Sequence, residues 1–147
     1  MSNTKALEQI KSWKKRRMME KREAEKKRKE ALYWEEQYQQ AKKKFLGILI
    51  HEGRIVIKPI QSVKEMQEEG DEMHHCVATN EYYKKDDSLI LSAKNVEGER
   101  LETIEVNLKK FEVVQCFGPC NSRTEHHDEI LKLMSKNMDV IKKACYG

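Results

Sequence analysis

Leu101-Glu102-Thr103-Ile104-Glu105-Val106-Asn107-Leu108 is the stretch that decides the fold. Ile104, Val106 and Leu108 alternate with Thr103, Glu105 and Asn107, a period of two that sends one face into a core and leaves the other polar. Glu97-Gly98 makes a turn before the run and Lys109-Lys110 marks one after it. Leu89-Ile90-Leu91 opens a further strand that runs to about Lys94, and residues 111–117 form another, ended by Gly118-Pro119. Upstream, residues 45–51 and 54–58 are apolar or β-branched runs separated by Glu52-Gly53, which reads as a hairpin.

The helices are as legible. Ser62 followed three residues later by Glu65 matches a capping box, Val63 and Met66 begin a buried face, and Gly70 is expected to close the helix. That short helix delivers Met73-His74-His75-Cys76-Val77. A polar stretch follows, in which Tyr82-Tyr83 forms a helical turn. A last helix starts after Ser122 or Thr124, with Ile130, Met134, Met138, Ile141 and Cys145 in one stripe. The expected architecture is α+β: a mostly antiparallel sheet of about five strands with helices packed on one face, preceded by a long basic N-terminal helix.

That first helix is set apart by composition. Residues 4–44 contain no Gly and no Pro, and Lys, Arg, Glu, Gln and Ala dominate them. Residues 1–44 hold 15 Lys/Arg against 7 Asp/Glu, whereas residues 45–147 hold 14 against 18. A basic arm (1–44) thus precedes a mildly acidic body (45–147). Leu7, Ile10 and Trp13 form one apolar patch, and Trp34, Tyr38, Ala41 and Phe45 form another. Between them Lys14, Lys15, Arg16, Arg17, Lys21, Arg22, Lys26, Lys27, Arg28 and Lys29 leave no continuous face to bury. This stretch is either a solvated spacer or a helix that meets DNA phosphates or an acidic protein partner, with a helix-mediated oligomer as a further use. No apolar run reaches the roughly 20 residues of a membrane span, so the expectation is a soluble, cytoplasmic protein with no membrane contact and four reduced cysteines.

His74-His75-Cys76 is where chemistry at neutral pH is concentrated, and three readings of it compete. As a metal site it needs a second ligand pair, because adjacent side chains rarely point at one ion. Cys116-x3-Cys120 is a possible second pair, spaced within the zinc-finger range but spanning a strand end and a Pro turn, with His126 and His127 available; the expectation is no metal and no cofactor. As a catalytic site, Cys76 is a thiolate nucleophile whose base comes from elsewhere in the fold, since sequence neighbours seldom have that geometry, or His75 works with Glu105 on a phosphodiester while Lys94 steadies the phosphate. As a structural site, Cys76 and Val77 lie under the sheet and a histidine satisfies backbone groups.

Strand phase adds Thr103 and Glu105 on the face opposite Ile104. A two-residue turn at Lys109-Lys110 pairs Thr103 with Cys116; a three-residue turn pairs it with Gln115. Lys-Lys suits a tight primed turn poorly, so the longer turn is expected, gathering Thr103, Glu105 and Gln115 on one face. Such a face is either plain solvent surface or the floor of a site.

In this order, Pro59, Ser62, Glu69-Gly70, His75-Cys76-Val77, Tyr83, Ile90, Thr103-x-Glu105, Gln115, Gly118 and Asn121 resemble the PcfJ-like proteins of conjugative plasmids and related mobile elements. The resemblance covers about residues 45–142 and leaves the basic arm outside. Two positions depart from it: Lys94 stands where members commonly carry Arg, and Ala78 where a Gly often follows His-Cys-Val. Lys supplies the charge without the bidentate fork. The resemblance implies an accessory role in the DNA processing or transfer of a mobile element. It also implies that His75, Cys76, Tyr83, Lys94, Thr103, Glu105, Gln115 and Asn121 belong to one polar site. The leading expectation is a nucleic-acid- or partner-binding module. A small nuclease-like enzyme using His75 and Glu105, and a helix-based adaptor, are its rivals.

Overall fold

The computed structural model describes residues 2–75 and 81–147. The chain divides into two compact units, residues 1–34 and 35–147. In the first unit, helix α1 (Ser2–Lys42, which continues into the second) is exposed on every side from residue 3 to residue 33. Leu7, Ile10 and Trp13 are exposed as well, so their spacing builds no buried face. Glu25 pairs weakly with Arg28 at 3.8 Å and Lys29 at 3.9 Å, the modest support that neighbouring turns of an exposed helix give.

In the second unit five strands form one antiparallel meander: β1 (Ile50–Glu52), β2 (Ile55–Pro59), β3 (Ser88–Asn95), β4 (Arg100–Asn107) and β5 (Glu112–Phe117), each beside its sequence neighbour. The first strand is shorter than its apolar run predicts. Phe45 and Ile48 lie in the turn after α1, yet both are buried, so they serve the core without joining the sheet. Gly53 takes the positive φ (60°) that the first hairpin turn requires.

Helix α3 (His127–Tyr146) lays Ile130, Leu133, Met134 and Ile141 over Ile57, Leu91, Ile104 and Val106 to make the main core. Each such side chain contributes about 1.5–3 kcal/mol of burial. Helix α2 (Val63–Met73) lies on the opposite face, because its Glu69 reaches Ser92 and Thr103, whose neighbours Leu91, Ala93 and Ile104 face α3. Helices therefore cover both faces of the sheet rather than one. Two apolar surfaces require this: besides the α3 core, Ile60, Met66, Met73 and Ile90 are buried on or beside the α2 side.

The end of α1 is tied down differently from its apolar pattern. Tyr38 is buried and donates to the Ile60 carbonyl, while Ala41 is exposed and Lys42 takes the inner position. The Lys42 ammonium donates to the carbonyls of Lys85 (3.0 Å) and Asp86 (3.2 Å). Burial lowers its pKa, against the field of Asp86 and Asp87.

Neither simple turn at Lys109-Lys110 is what forms. Residues 108–111 make the connection, and the positive φ falls on Phe111 (55°), which packs against the core. Asn107 Oδ1 accepts from the backbone amides of Lys109 and Lys110, both at 2.9 Å. A bulge between Glu105 and Val106 then shifts the register, so that Glu105 faces Gln115 and Thr103 faces Phe117. Thr103, Glu105 and Gln115 still share a face, reached through the bulge and not through turn length.

Candidate functional site

Helix α2 sets the site. Ser62 Oγ accepts from the Glu65 amide at 3.0 Å, as the cap predicts, but the Glu65 carboxylate returns to the amide of Gln61 (2.9 Å) instead of Ser62. The helix runs past Gly70 to Met73 and ends at His74, whose φ of 52° is left-handed. The Gly70 carbonyl closes the last turn by accepting from the amides of His74 and His75. Val63, Met66, Glu69, Gly70 and Met73 are its buried residues, so Glu69 sits as a carboxylate within an apolar stripe.

Glu69 is fully buried and is met from three strand positions. Its Oε1 accepts from Ser92 Oγ (2.9 Å) and Arg100 Nε (2.6 Å), and its Oε2 from Thr103 Oγ1 (2.6 Å). Arg100 also pairs with Glu72. Burial works against the charge of Arg100, but its bonds to Glu72 and Glu69 outweigh that and raise its pKa. Arg100 reaches this face because the β3–β4 register shifts between Ala93 and Lys94, setting Arg100 opposite Lys94.

His75 completes the chain of bonds. Its Nε2 lies 2.8 Å from Thr103 Oγ1. Thr103 has one hydroxyl hydrogen and gives it to Glu69, a carboxylate held beside Arg100, so Nε2 must carry the imidazole proton and donate. Nδ1 is left as the acceptor. It is buried and has no hydrogen-bond partner among the described residues. Burial lowers the pKa of His75 despite the opposing field of Glu69 and a backbone hydrogen bond, which favours the neutral ring.

A second polar knot lies on the same face. Glu105 accepts from Ser88 Oγ (2.7 Å) and Gln115 Nε2 (2.7 Å), and Gln115 also donates to the Tyr82 hydroxyl (2.7 Å). The carboxylate behind His75 is thus Glu69, through Thr103, while Glu105 is held by Ser88 and Gln115. Lys94 lines a small cleft with Lys58 and Ser92. Tyr83 packs near the Lys84 ammonium. Asn121 is exposed in a left-handed conformation (φ 60°) that Asn tolerates well. Cys76 lies outside the described residues.

On the α3 face, Glu102 collects Cys116, Thr124 and His127. Cys116 Sγ–H donates to Oε1 (2.9 Å) and His127 Nδ1–H to the same oxygen (2.7 Å), while the Thr124 amide (2.8 Å) and hydroxyl (2.6 Å) donate to Oε2. Burial opposes the charge of Glu102, but these bonds outweigh it and lower the pKa. Burial and the adjacent carboxylate push the Cys116 thiol well up. Cys116 and Cys120 do not act as a pair: the first is buried and the second exposed.

A family model described as PcfJ-like protein matches residues 4–131. The chain belongs to the PcfJ-like family. The match takes in the basic helix, which the motif resemblance leaves outside. No curated protein and no solved structure gives a significant match.

Within this PcfJ-like chain, the arm's ten clustered basic side chains are all exposed. No helix among the described residues is long and apolar enough to cross a membrane. Sequence reading passes over Ser88, Ser92, Arg100, Glu102 and Thr124 as working parts of these networks. For Glu69 a signal exists, since an acid on the Val63–Met66–Met73 face must be either paired or out of place. For Arg100 none does: strict alternation places it on the face away from Thr103, and only the bulge reverses that.

Proposed function

We propose that this PcfJ-like protein is an accessory nucleic-acid-binding module in the DNA processing or transfer of a mobile element, with the basic helix as its phosphate-binding surface. One observation carries the reading: residues 14–29 of α1 present ten Lys and Arg side chains to solvent with no buried face among them. The same helix read as an inert spacer explains its solubility but not the excess of one sign of charge. Exposed Trp13 sits under the Arg17 guanidinium (5.1 Å) at one end of the run, so stacking on bases is not its main mode. Binding of this kind is electrostatic and indifferent to sequence.

The test is fluorescence anisotropy on labelled single- and double-stranded DNA as salt rises, with the native chain and a variant carrying Gln at all ten positions. Contact with six or more phosphates weakens binding roughly a thousandfold between 50 and 200 mM salt, and the variant binds neither DNA. A flat salt response overturns the reading, and retention of an acidic polypeptide but not DNA assigns the helix to a protein partner.

A second reading is favoured by His75 Nδ1, an acceptor with no hydrogen-bond partner among the described residues: a hydrolytic enzyme in which His75 takes a proton from water or a hydroxyl. Thr103 and Glu69 would hold the ring, and Lys94 supplies a cation on the same face. Denaturing gels decide it, since cleavage that disappears in His75→Ala with the fold intact makes the protein an enzyme.

A further inference from the structure

We infer that Glu102, Cys116 and His127 form a binding site for a zinc-class divalent cation. The three residues come from β4, β5 and the first position of α3, and one donor atom from each lies within 4.8 Å of the other two. A tetrahedral zinc with sulfur at about 2.3 Å and nitrogen or oxygen at about 2.0–2.2 Å needs its donors roughly 3–4 Å apart. The Sγ–Oε1 and Nδ1–Oε1 contacts of 2.9 and 2.7 Å therefore have to open by only a few tenths of an ångström or somewhat more.

The surroundings suit an ion. Glu102 is completely buried, and Thr124 binds its Oε2 twice, through amide and hydroxyl, which turns Oε1 toward the sulfur and the imidazole. This is the orienting role that outer groups play around metal ligands. The His127 side chain keeps 11% of its surface in solvent, which gives an entering ion a path. One thiolate, one imidazole and one carboxylate select zinc, cobalt or a similar borderline ion over magnesium or calcium, which prefer oxygen alone. Three protein donors leave a fourth position for water or an external ligand.

Charge balances without redox chemistry. With neutral imidazole and protonated thiol, the knot carries the single negative charge of Glu102. On binding, the thiol proton leaves to solvent, the imidazole proton moves from Nδ1 to Nε2, and two anions face one dication. The same three side chains without an ion make a hydrogen-bonded anchor for the start of α3. That alternative is what the experiment separates.

The full chain is stripped with chelator and titrated with cobalt(II), then back-titrated with zinc. The expected result is one equivalent bound, with a thiolate-to-cobalt charge-transfer band and tetrahedral visible bands, both bleached by zinc. Cys116→Ser and His127→Gln lose the charge-transfer or tetrahedral signature and weaken zinc binding roughly a hundredfold or more, whereas Cys76→Ser, Cys120→Ser and Cys145→Ser keep both. No cobalt band in the native chain overturns the site, as does a band that survives in Cys116→Ser. Should that variant fail to fold, zinc-edge absorption on the native chain decides. One sulfur among nitrogen and oxygen neighbours supports the site, and two or more sulfurs refute it.

Discussion

The two faces of the sheet handle buried carboxylates in opposite ways. On the α3 face, Glu102 takes four hydrogen bonds from Cys116, Thr124 and His127, and every donor spends itself on that carboxylate. On the α2 face, Glu69 is equally buried, yet its bonds lead outward through Thr103 to His75 and end at an acceptor with no donor among the described residues. A carboxylate that closes on itself anchors a helix or holds an ion. One that continues through a hydroxyl to an imidazole fixes a tautomer, and that difference separates the two as candidates for chemistry.

Breaking the α2-side network has the largest expected effect. Glu69→Ala leaves half-buried Arg100 with Glu72 alone and removes the acceptor for buried Ser92 and Thr103, which costs about 2–4 kcal/mol in urea unfolding. A loss under about 1 kcal/mol means that this face is solvated and the comparison fails.

Next is Thr103→Val, similar in shape but without the hydroxyl. It strands the His75 Nε2–H and one lone pair of Glu69 and costs about 1–3 kcal/mol. Nitrogen NMR should also show the His75 ring released from its single tautomer, whereas the native ring carries its proton on Nε2 alone.

His75→Gln sharpens the comparison through pH. Burial lowers the folded pKa of His75 below its ordinary 6.5, so the unfolded chain binds a proton that the folded chain resists. Native stability therefore falls as pH drops through about 6.5, and the variant flattens that part of the curve while costing only about 1 kcal/mol at pH 8. Glu102 acts further down. Its depressed pKa contributes stability that is lost as pH falls below about 4.5, in native chain and variant alike. Thermal unfolding across about pH 2–8 reads both.

The smallest effect is expected in the arm. Replacing its ten exposed basic residues by Gln shifts the unfolding midpoint of the body within error, about 0.5 kcal/mol or less, because all ten are exposed and their contacts, Arg17 over Trp13 and Arg28 and Lys29 beside Glu25, are surface ones.

Much of this molecule was readable in advance. The core face of β4, the Ser62 cap and the α3 stripe required only local pattern and stand in the structure, but the polar face of β4 is buried as well, so the strand is not half-exposed as its alternation predicts. Grouping Thr103, Glu105 and Gln115 on one face was also readable, although by a register other than the one expected. Lys42 replaced Ala41 at the buried position because a long amine can reach two loop carbonyls that an apolar stripe does not foresee. Glu102 escaped notice because its partners lie on another strand and at a helix start, and no spacing rule joins them.

Sequence by itself determined the α+β class, the order of the strands along the chain and the basic helix. Those follow from periods of 2 and 3.6 and from charge, which are properties of neighbours along the chain. Tertiary structure alone decided which carboxylate serves which histidine: Glu69 for His75 and Glu102 for His127. Two bulges and one left-handed residue made that choice. Each reverses or redirects a face by a single residue, and the packing that favours it comes from strands and helices far away in the chain.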